Sequence, residues 1–377
     1  MTSSPPVGRV LGSADLVVVG AGIVGLAHAV AAVRRGLSVV VVERDERATG
    51  ASVRNFGHGC FTAQHGDALR YAMAARKEWL RLAGEAGFWL RDTGTLVVAR
   101  ADDEYAVLEE FRAARDGQVE LLGAREVAER MPAGPGVTGG ALLPLDVRVD
   151  PREAAHAIAR LLAAQGVRFH WATTVHTVEP GLVGTSRGLL RAGRVVVAVG
   201  HDVDRHFPGL AEQAGVRRCA LHMLRVRDPH GRKIDPAVLT NYSFLRYDGF
   251  GVCPTLPALR ARLEAEHPDL VGVGLNLMFT QRPDGDLTIG DTHAYATTLE
   301  PFNDEERDRL VLAETARLLG VRRLTVRERW RGVYASAGRP FLVATPMPGV
   351  RVVSVTSGIG MTTAFGLAPD VLDDLLR

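Results

Sequence analysis

Leu16-Val17-Val18-Val19-Gly20-Ala21-Gly22-Ile23-Val24-Gly25 sets a continuous apolar run directly against three glycines spaced G-x-G-x-x-G. The run is β-branched residues and leucine, the composition of a strand buried on both faces in a parallel sheet. Behind it, Ile23 to Arg35 is alanine-rich and helical, with Gly36 placed to stop the helix. Ser38 to Val42 is a second buried strand. Strand, helix and strand within roughly thirty residues make a βαβ unit.

Each glycine has a separate task. Gly20 permits the tight turn from strand to helix, Gly22 lets the backbone approach a pyrophosphate, and Gly25 lets helix and strand pack closely. The pyrophosphate then sits on free N–H groups at the positive end of the helix, beside Ile23 and Val24. Glu43 ends the second strand, where a carboxylate accepts both hydroxyls of an adenosine ribose and repels a 2′-phosphate. Arg44 beside it softens that repulsion. Gly134-Pro135-Gly136-Val137-Thr138-Gly139 fits the same pattern but lacks a buried strand before it and a helix after it, so it is expected to be a loop.

Outward from the βαβ unit, Gly66–Gly87 is helix-like, Thr95–Ala99 a strand and Asp102–Arg115 a helix. Asp150-Pro151 opens another helix, with aspartate as cap and proline at its first position. Strands are expected near Val167–His170, Thr173–Val178 and Arg194–Val199. From Cys219 to Gly290 the pattern changes to short strand-like segments, Leu221–Val226, Val271–Phe279 and Leu287–Ile289, separated by turn residues, which predicts an antiparallel sheet. Asn303–Leu319 reads as a helix capped by Asn303, Val352–Val355 as a strand, and a last helix follows Gly358-Ile359-Gly360. The fold class is α/β (α+β overall), a Rossmann-like nucleotide-binding domain interleaved with an antiparallel-sheet domain. Residues 1–85, 146–216 and 325–377 are assigned to the first, 86–145 and 217–324 to the second.

Composition excludes several classes. At 46% hydrophobic and 23% charged, the 377 residues are ordinary for a globular protein. A net charge of +2 argues for neither nucleic acid nor a membrane surface. The three cysteines, Cys60, Cys219 and Cys253, are far apart, so neither a metal site nor a disulfide framework is expected, and a cytoplasmic setting fits. Met1–Ser13 does not have the form of a signal peptide. Leu16–Val33 is apolar, but its glycines, His28 and the following Arg34-Arg35-Gly36 argue against a membrane span.

The motif alone does not separate FAD from NAD. A second small-residue loop after Glu43, Gly50-Ala51-Ser52-Val53-Arg54-Asn55-Phe56-Gly57, favours FAD, whose ribityl chain and ring extend past the pyrophosphate. Here the chain resembles the FAD-dependent amine and amino-acid oxidoreductases that include D-amino acid oxidase, glycine oxidase and sarcosine oxidase. Four segments carry the resemblance: Gly20–Glu43, Gly50–Gly57, Val149-Asp150-Pro151 with Thr174-Val175 and Val195–Gly200, and Gly358-Ile359-Gly360-Met361-Thr362-Thr363. It implies that Ala51, Ser52, Asn55 and Gly57 touch the flavin phosphates and ribityl, that Val175 contacts adenine, and that Ala198 and Gly200 lie over the cofactor. Gly358, Gly360, Met361 and Thr362 would then bring a helix N-terminus to the flavin, where reduction builds negative charge. Ala51–Gly57 together with Gly290-Asp291-Thr292-His293 is similar to a narrower branch associated with phosphonate breakdown and aminoethylphosphonate-type amines. The cysteine that carries flavin covalently in one subgroup, near Gly332–Arg339, is absent, so FAD is expected to be non-covalent.

The expected reaction oxidises the C–N bond of a small amine, with O2 or another acceptor taking the electrons, and needs one anion clamp at the far end of the substrate. Arg54, Tyr247, Arg329 and Arg331 are the substrate-binding candidates, and His58, His293 and Tyr334 the catalytic ones. If the segment around Trp330 is a strand, Arg329 and Arg331 share a face and could grip a phosphonate or carboxylate. Ion pairing with neighbours such as Glu328 is the other reading. Orienting substrate, taking a proton and making a structural hydrogen bond are all open to His58. An NAD(P)H-dependent flavin reductase or hydroxylase is the alternative class, disfavoured by the lack of a second well-placed glycine motif. Oligomeric state is not legible.

Overall fold

A computed structural model describes residues 8–377. Residues 1–7 of the expected non-signal N-terminus lie outside it, while Val10–Ser13 already belong to the first strand, Val10–Val19. That strand lies between Val39–Val42 and Gly188–Val197, all parallel, with Arg168–His170 beyond one and Val350–Ser357 beyond the other. Every residue of Val39–Val42 is buried, as a strand covered on both faces requires. The helix Ile23–Val33 packs on one face, and the carboxy-terminal helix Gly360–Leu376 lies against it and against Gly66–Ala86. Trp79 fixes the start of that last helix by donating from Nε1 to the Met361 carbonyl at 2.7 Å.

The strand Val326–Ala344 joins this parallel region to the rest of a sixteen-stranded sheet. Val326–Ser336 runs antiparallel to Arg217–Val226, and Phe341–Ala344 runs antiparallel to Val352–Val355. Leu287–Gly290, Met278–Gln281, Ala237–Leu239 and Thr95–Ala99 continue the sheet outward, and one large apolar core lies against them. Two further cores cover the faces of the parallel strands. The expected segment boundary between 324 and 325 thus falls just before a strand that both parts share. Among the described residues, no helix is long and apolar enough to cross a membrane.

Local capping follows the sequence in one helix and departs from it in another. Asp150 accepts from the Arg152 N–H at 2.9 Å, with Pro151 in the first turn. The helix expected to be capped by Asn303 begins at Glu305 instead, and Asp304 accepts from the Glu306 N–H at 3.0 Å. Asn303 is diverted because its Oδ1 accepts from Arg331 Nε at 2.9 Å. The strand expected over Val271–Phe279 is also corrected. Pro268 opens a short helix, Pro268–Gly272, a turn follows at Gly274 with φ +62°, and the strand starts at Met278. The second glycine pattern lies in a loop and turn that end at the strand Gly139–Leu143.

Candidate active site

One cavity of about 570 Å³ runs from the end of the parallel strands to the antiparallel sheet. At one end it is lined by Gly20, Gly22, Ile23, Val24, Glu43, Arg44 and Val175. Ala51, Ser52, Asn55, Ala198 and Gly200 carry the wall onward. The far end is closed by Gly358, Gly360, Met361 and Thr362 on one side and His58, Tyr247, His293 and Tyr334 on the other. Arg54 also lines it.

The glycine-rich end has the tight backbone turn and close helix–strand approach that the spacing of its glycines requires. Gly20 has φ +105°, a conformation that side chains rarely adopt. A Cβ on Gly25 would lie 1.9 Å from the Gly20 carbonyl oxygen, so this glycine serves helix–strand packing and does not line the cavity. Gly57 likewise stands outside the lining; its φ is +69°, and a Cβ there would meet the Val149 carbonyl oxygen at 1.9 Å. Ser52 accepts from the Ile23 N–H at 2.8 Å, tying the second loop to the helix start. Glu43 accepts from the Ala21 N–H at 2.8 Å and from the Asp45 N–H at 3.1 Å, which fixes its carboxylate at the strand end. Arg44 is turned to Asp202, at 2.5 Å.

This cradle fits a long dinucleotide. Two helix N-termini, at Gly22–Val24 and Gly360–Thr362, open onto one cavity; Ile23 N–H is held by Ser52 and Thr362 N–H by the Ile359 carbonyl, while the N–H groups of Gly22, Val24, Gly360 and Met361 donate to no described residue. Both offer donors and a positive dipole end, one suited to a pyrophosphate and the other to a ring that gains negative charge. Cys60, Cys219 and Cys253 are buried and do not line the cavity.

Arg246 organises the far end, and sequence reasoning missed it. Its Nε donates to His293 Nε2 at 3.1 Å, and its Nη2 donates to Tyr334 Oη at 2.7 Å and to the Ser357 carbonyl at 3.0 Å. Nη1 donates to no described residue, and Arg246 lines the cavity. His293 Nδ1 lies 2.8 Å from the Gly274 carbonyl, so that nitrogen carries the proton and Nε2 is the acceptor. Burial, then the adjacent Arg246 charge, pushes the imidazole down to about 3, so it is neutral. Both ring nitrogens are therefore engaged in holding Arg246. The Tyr334 ring packs on Gly358, where a Cβ would come within 2.9 Å of it.

Asp291 and Asn276 complete this wall. Burial pushes the Asp291 carboxyl up to about 7, against the opposing pull of Arg246 and of the Asn276 hydrogen bond. His58 Nε2 lies 2.6 Å from Thr95 Oγ1 and 3.7 Å from Asp146 Oδ2. His58, Cys60 and Asp146 bring ligand-type atoms within 4.8 Å of one another. Asp146 Oδ1, however, already accepts from the Phe61 and Thr62 N–H groups and from Thr62 Oγ1, and burial pushes the Cys60 thiol far up.

Arg329 and Arg331 do share a face, but it is not the cavity's. Arg329 pairs with Asp308 at 2.8 Å and with Glu305 at 2.9 Å, and Arg331 binds Asn303 and the Phe302 carbonyl. The helix after Asp304 supplies the acidic partners of Arg329 and the segment before it the amide and carbonyl partners of Arg331, so the expected clamp is tied up within the protein. Arg246 leaves no periodic signal, because it sits on a turn after the short helix Asn241–Phe244. Asp291 lies in Gly290-Asp291-Thr292-His293, two residues before the candidate His293, and nothing in that spacing marks it for the cavity.

The family model described as DAO, FAD dependent oxidoreductase, matches residues 15–372. The chain belongs to this family and is an FAD-dependent oxidoreductase. It is similar to an opine oxidase subunit of Rhizobium meliloti, 27% identical over 219 residues, covering 52% of this chain and 58% of that one. The match thus spans less than two thirds of that relative's length. Among solved structures, L-proline dehydrogenase of P. horikoshii superposes with a TM-score of 0.78 at 20% identity, covering 96% of this chain and 93% of that one. Glycine oxidase of Bacillus cereus ATCC 14579 gives 0.77 at 18% identity, covering 96% and 95%. At these identities the structural likeness concerns the fold.

Proposed function

We propose that this chain oxidises the C–N bond of a small amine that carries an acidic group, with aminophosphonates, 2-aminoethylphosphonate or its N-alkyl derivatives, as the leading class. The observation that carries the reading is Arg246. It is a guanidinium braced on three sides, with Nη1 left free, in the wall of the cavity that ends at the last helix. Such a group selects an anion by charge-assisted hydrogen bonds, each roughly twice as strong as a neutral one. The relatives named above are an opine oxidase subunit, an L-proline dehydrogenase and a glycine oxidase, which favours a nitrogen-bearing substrate.

Bound FAD, held non-covalently, supplies the two-electron acceptor. Glu43, Ser52 and the N–H groups of Gly22 and Val24 would hold its nucleotide end, and Gly360–Thr362 would face its ring. Tyr334 and His293 keep Arg246 in place, so the substrate's acidic end is anchored while its C–H bond is presented to the ring. Phosphonate offers three acceptor oxygens and a second charge, and the resemblance of Ala51–Gly57 and Gly290–His293 to the phosphonate-associated branch favours it. Anaerobic addition of N-methyl-2-aminoethylphosphonate is expected to bleach the flavin. Bleaching by glycine, sarcosine or a D-amino acid but not by the phosphonate would move the assignment to a carboxylate substrate. Bleaching by NADH alone would replace amine oxidation with a reductase.

A further inference from the structure

Beside Arg246 stands a carboxylate with one oxygen left over. Asp291 follows the strand Leu287–Gly290 and is locked to Asn276 by two backbone hydrogen bonds, of 2.9 and 2.8 Å. Its Oδ1 accepts from Asn276 Nδ2 at 3.0 Å, and Asn276 Oδ1 in turn accepts from Ser243 Oγ at 2.8 Å. The carboxylate is therefore held rigidly by one oxygen. Oδ2 accepts from no described residue, and His293 Nε2 lies 3.8 Å from it.

His293 cannot satisfy that oxygen, because Nε2 is the acceptor of the Arg246 Nε proton. The side chain is only 6% exposed, yet Asp291 lines the cavity. A largely buried carboxylate with no protein cation or donor on one oxygen is costly to ionise. A cationic ligand in the cavity removes that cost. Arg246 and Asp291 meet at the same His293 nitrogen, so an anion site and a cation site lie side by side.

We propose that Asp291 receives the substrate's ammonium group and takes up its proton, leaving the amine neutral before its C–N bond is oxidised. This rests on the amine reading above. One N–H bond breaks and one carboxyl O–H bond forms, the nitrogen keeps the electron pair, and no electron leaves the substrate in this step. With the pair freed, FAD held in the cavity would supply the acceptor for the hydrogen and two electrons of the neighbouring carbon. Groups facing Asp291 are the Arg246 cation, the neutral His293 ring, the Tyr247 phenol, the Cys219 thiol and the Asn276 amide. Of these only Arg246 carries charge near neutrality, and it favours the carboxylate. A carboxyl titrating near neutrality suits a proton acceptor.

The test uses the FAD-loaded protein. Flavin reduction by glycine, sarcosine and N-methyl-2-aminoethylphosphonate is followed anaerobically across pH, in wild type and Asp291→Asn. Binding of the amine-free acids acetate and ethylphosphonate is read from the flavin absorbance. In wild type the reduction rate falls as pH drops below the Asp291 limb. Asp291→Asn is expected to lose that limb and to fall about 10²–10⁴-fold at neutral pH. Its rate then climbs with pH toward wild type, since only amine that is already neutral reacts. Binding of acetate or ethylphosphonate stays within a few-fold.

An unchanged rate and pH profile in Asp291→Asn overturns the inference. So does a parallel loss of amine-free acid binding, which would mean that the substitution only displaced Arg246. Asp291→Glu, which retains a carboxylate, is expected to move the limb without deleting it, and serves if the asparagine variant does not hold FAD. A wild-type flavin untouched by all three amines removes the amine reading itself, and this inference with it.

Discussion

Arg246 Nε donates to His293 Nε2 at 3.1 Å, and His293 Nδ1–H donates to the Gly274 carbonyl at 2.8 Å. A histidine in the wall of the cavity thus spends both nitrogens on positioning a neighbouring cation.

That relationship separates two roles for His293. Glutamine can accept from Arg246 and donate to Gly274, whereas alanine can do neither. His293→Gln is expected to keep flavin reduction within about tenfold of wild type, and His293→Ala to raise the substrate Kd roughly 10–100-fold, consistent with a misplaced charged hydrogen bond. An equal, large loss in both variants would point to a proton-transfer role.

Removing the clamp itself is the sharper experiment. Arg246→Met is expected to weaken binding of an acid-bearing amine by about 10–100-fold, the worth of one hydrogen bond to a charged group, while FAD content is unchanged. Arg329→Ala and Arg331→Ala are expected to leave that binding within about twofold, because the partners of Arg329 lie on the helix after Asp304, those of Arg331 lie in the segment before it, and neither set lines the cavity. Substrate titrations on the three variants compare the two faces directly.

At the nucleotide end, Gly25→Ala is expected to abolish FAD retention. Its methyl group would have to occupy the place of the Gly20 carbonyl oxygen, 1.9 Å away, and both the strand end and the helix start are backbone. Glu43→Gln should weaken FAD binding without unfolding the protein, since the amide can still accept from the Ala21 N–H but loses the charge. FAD released on dilution, read by fluorescence, distinguishes the two.

Acid should destabilise the protein through histidines buried in the neutral form. His28 is fully buried on the helix Ile23–Val33, and burial pushes it down to about 4. Because the folded value lies below the unfolded 6.5, the stability it contributes is complete above pH 6.5 and drains away as pH falls toward 4. By pH 5 the loss from this residue is about 2 kcal/mol. His293, pushed down to about 3 for the same reason, adds to it in the same direction. Urea midpoints at pH 7 and 5 should converge in His28→Gln relative to wild type.

Much of the fold was legible in the sequence because its signals are local. The run Leu16–Val19, the glycines behind it and Glu43 fall within one βαβ unit, so spacing along the chain determines spacing in the structure. The Asp150–Pro151 helix start, the strand Thr95–Ala99 and the helix after Gly358-Ile359-Gly360 are equally local. Asn303 was misread because its competitor for the cap, Asp304, is adjacent, and its own partner, Arg331, is remote in sequence.

The nucleotide cradle, then, was determined by the sequence itself, since backbone conformation and close packing at Gly20, Gly22 and Gly25 depend on residue type and nearest neighbours. The substrate end was decided only by tertiary structure. Arg246, Asn276, Asp291, His293 and Tyr334 come from separate turns and strands, and each acquires its chemistry from the others. Two arginines with the right alternation were spent on partners within the protein, Arg329 on ion pairs and Arg331 on Asn303 and backbone carbonyls, while one with no pattern around it was left facing the cavity. Charge becomes available to a ligand only where folding leaves it without a protein partner, and that is a property of the assembled contacts.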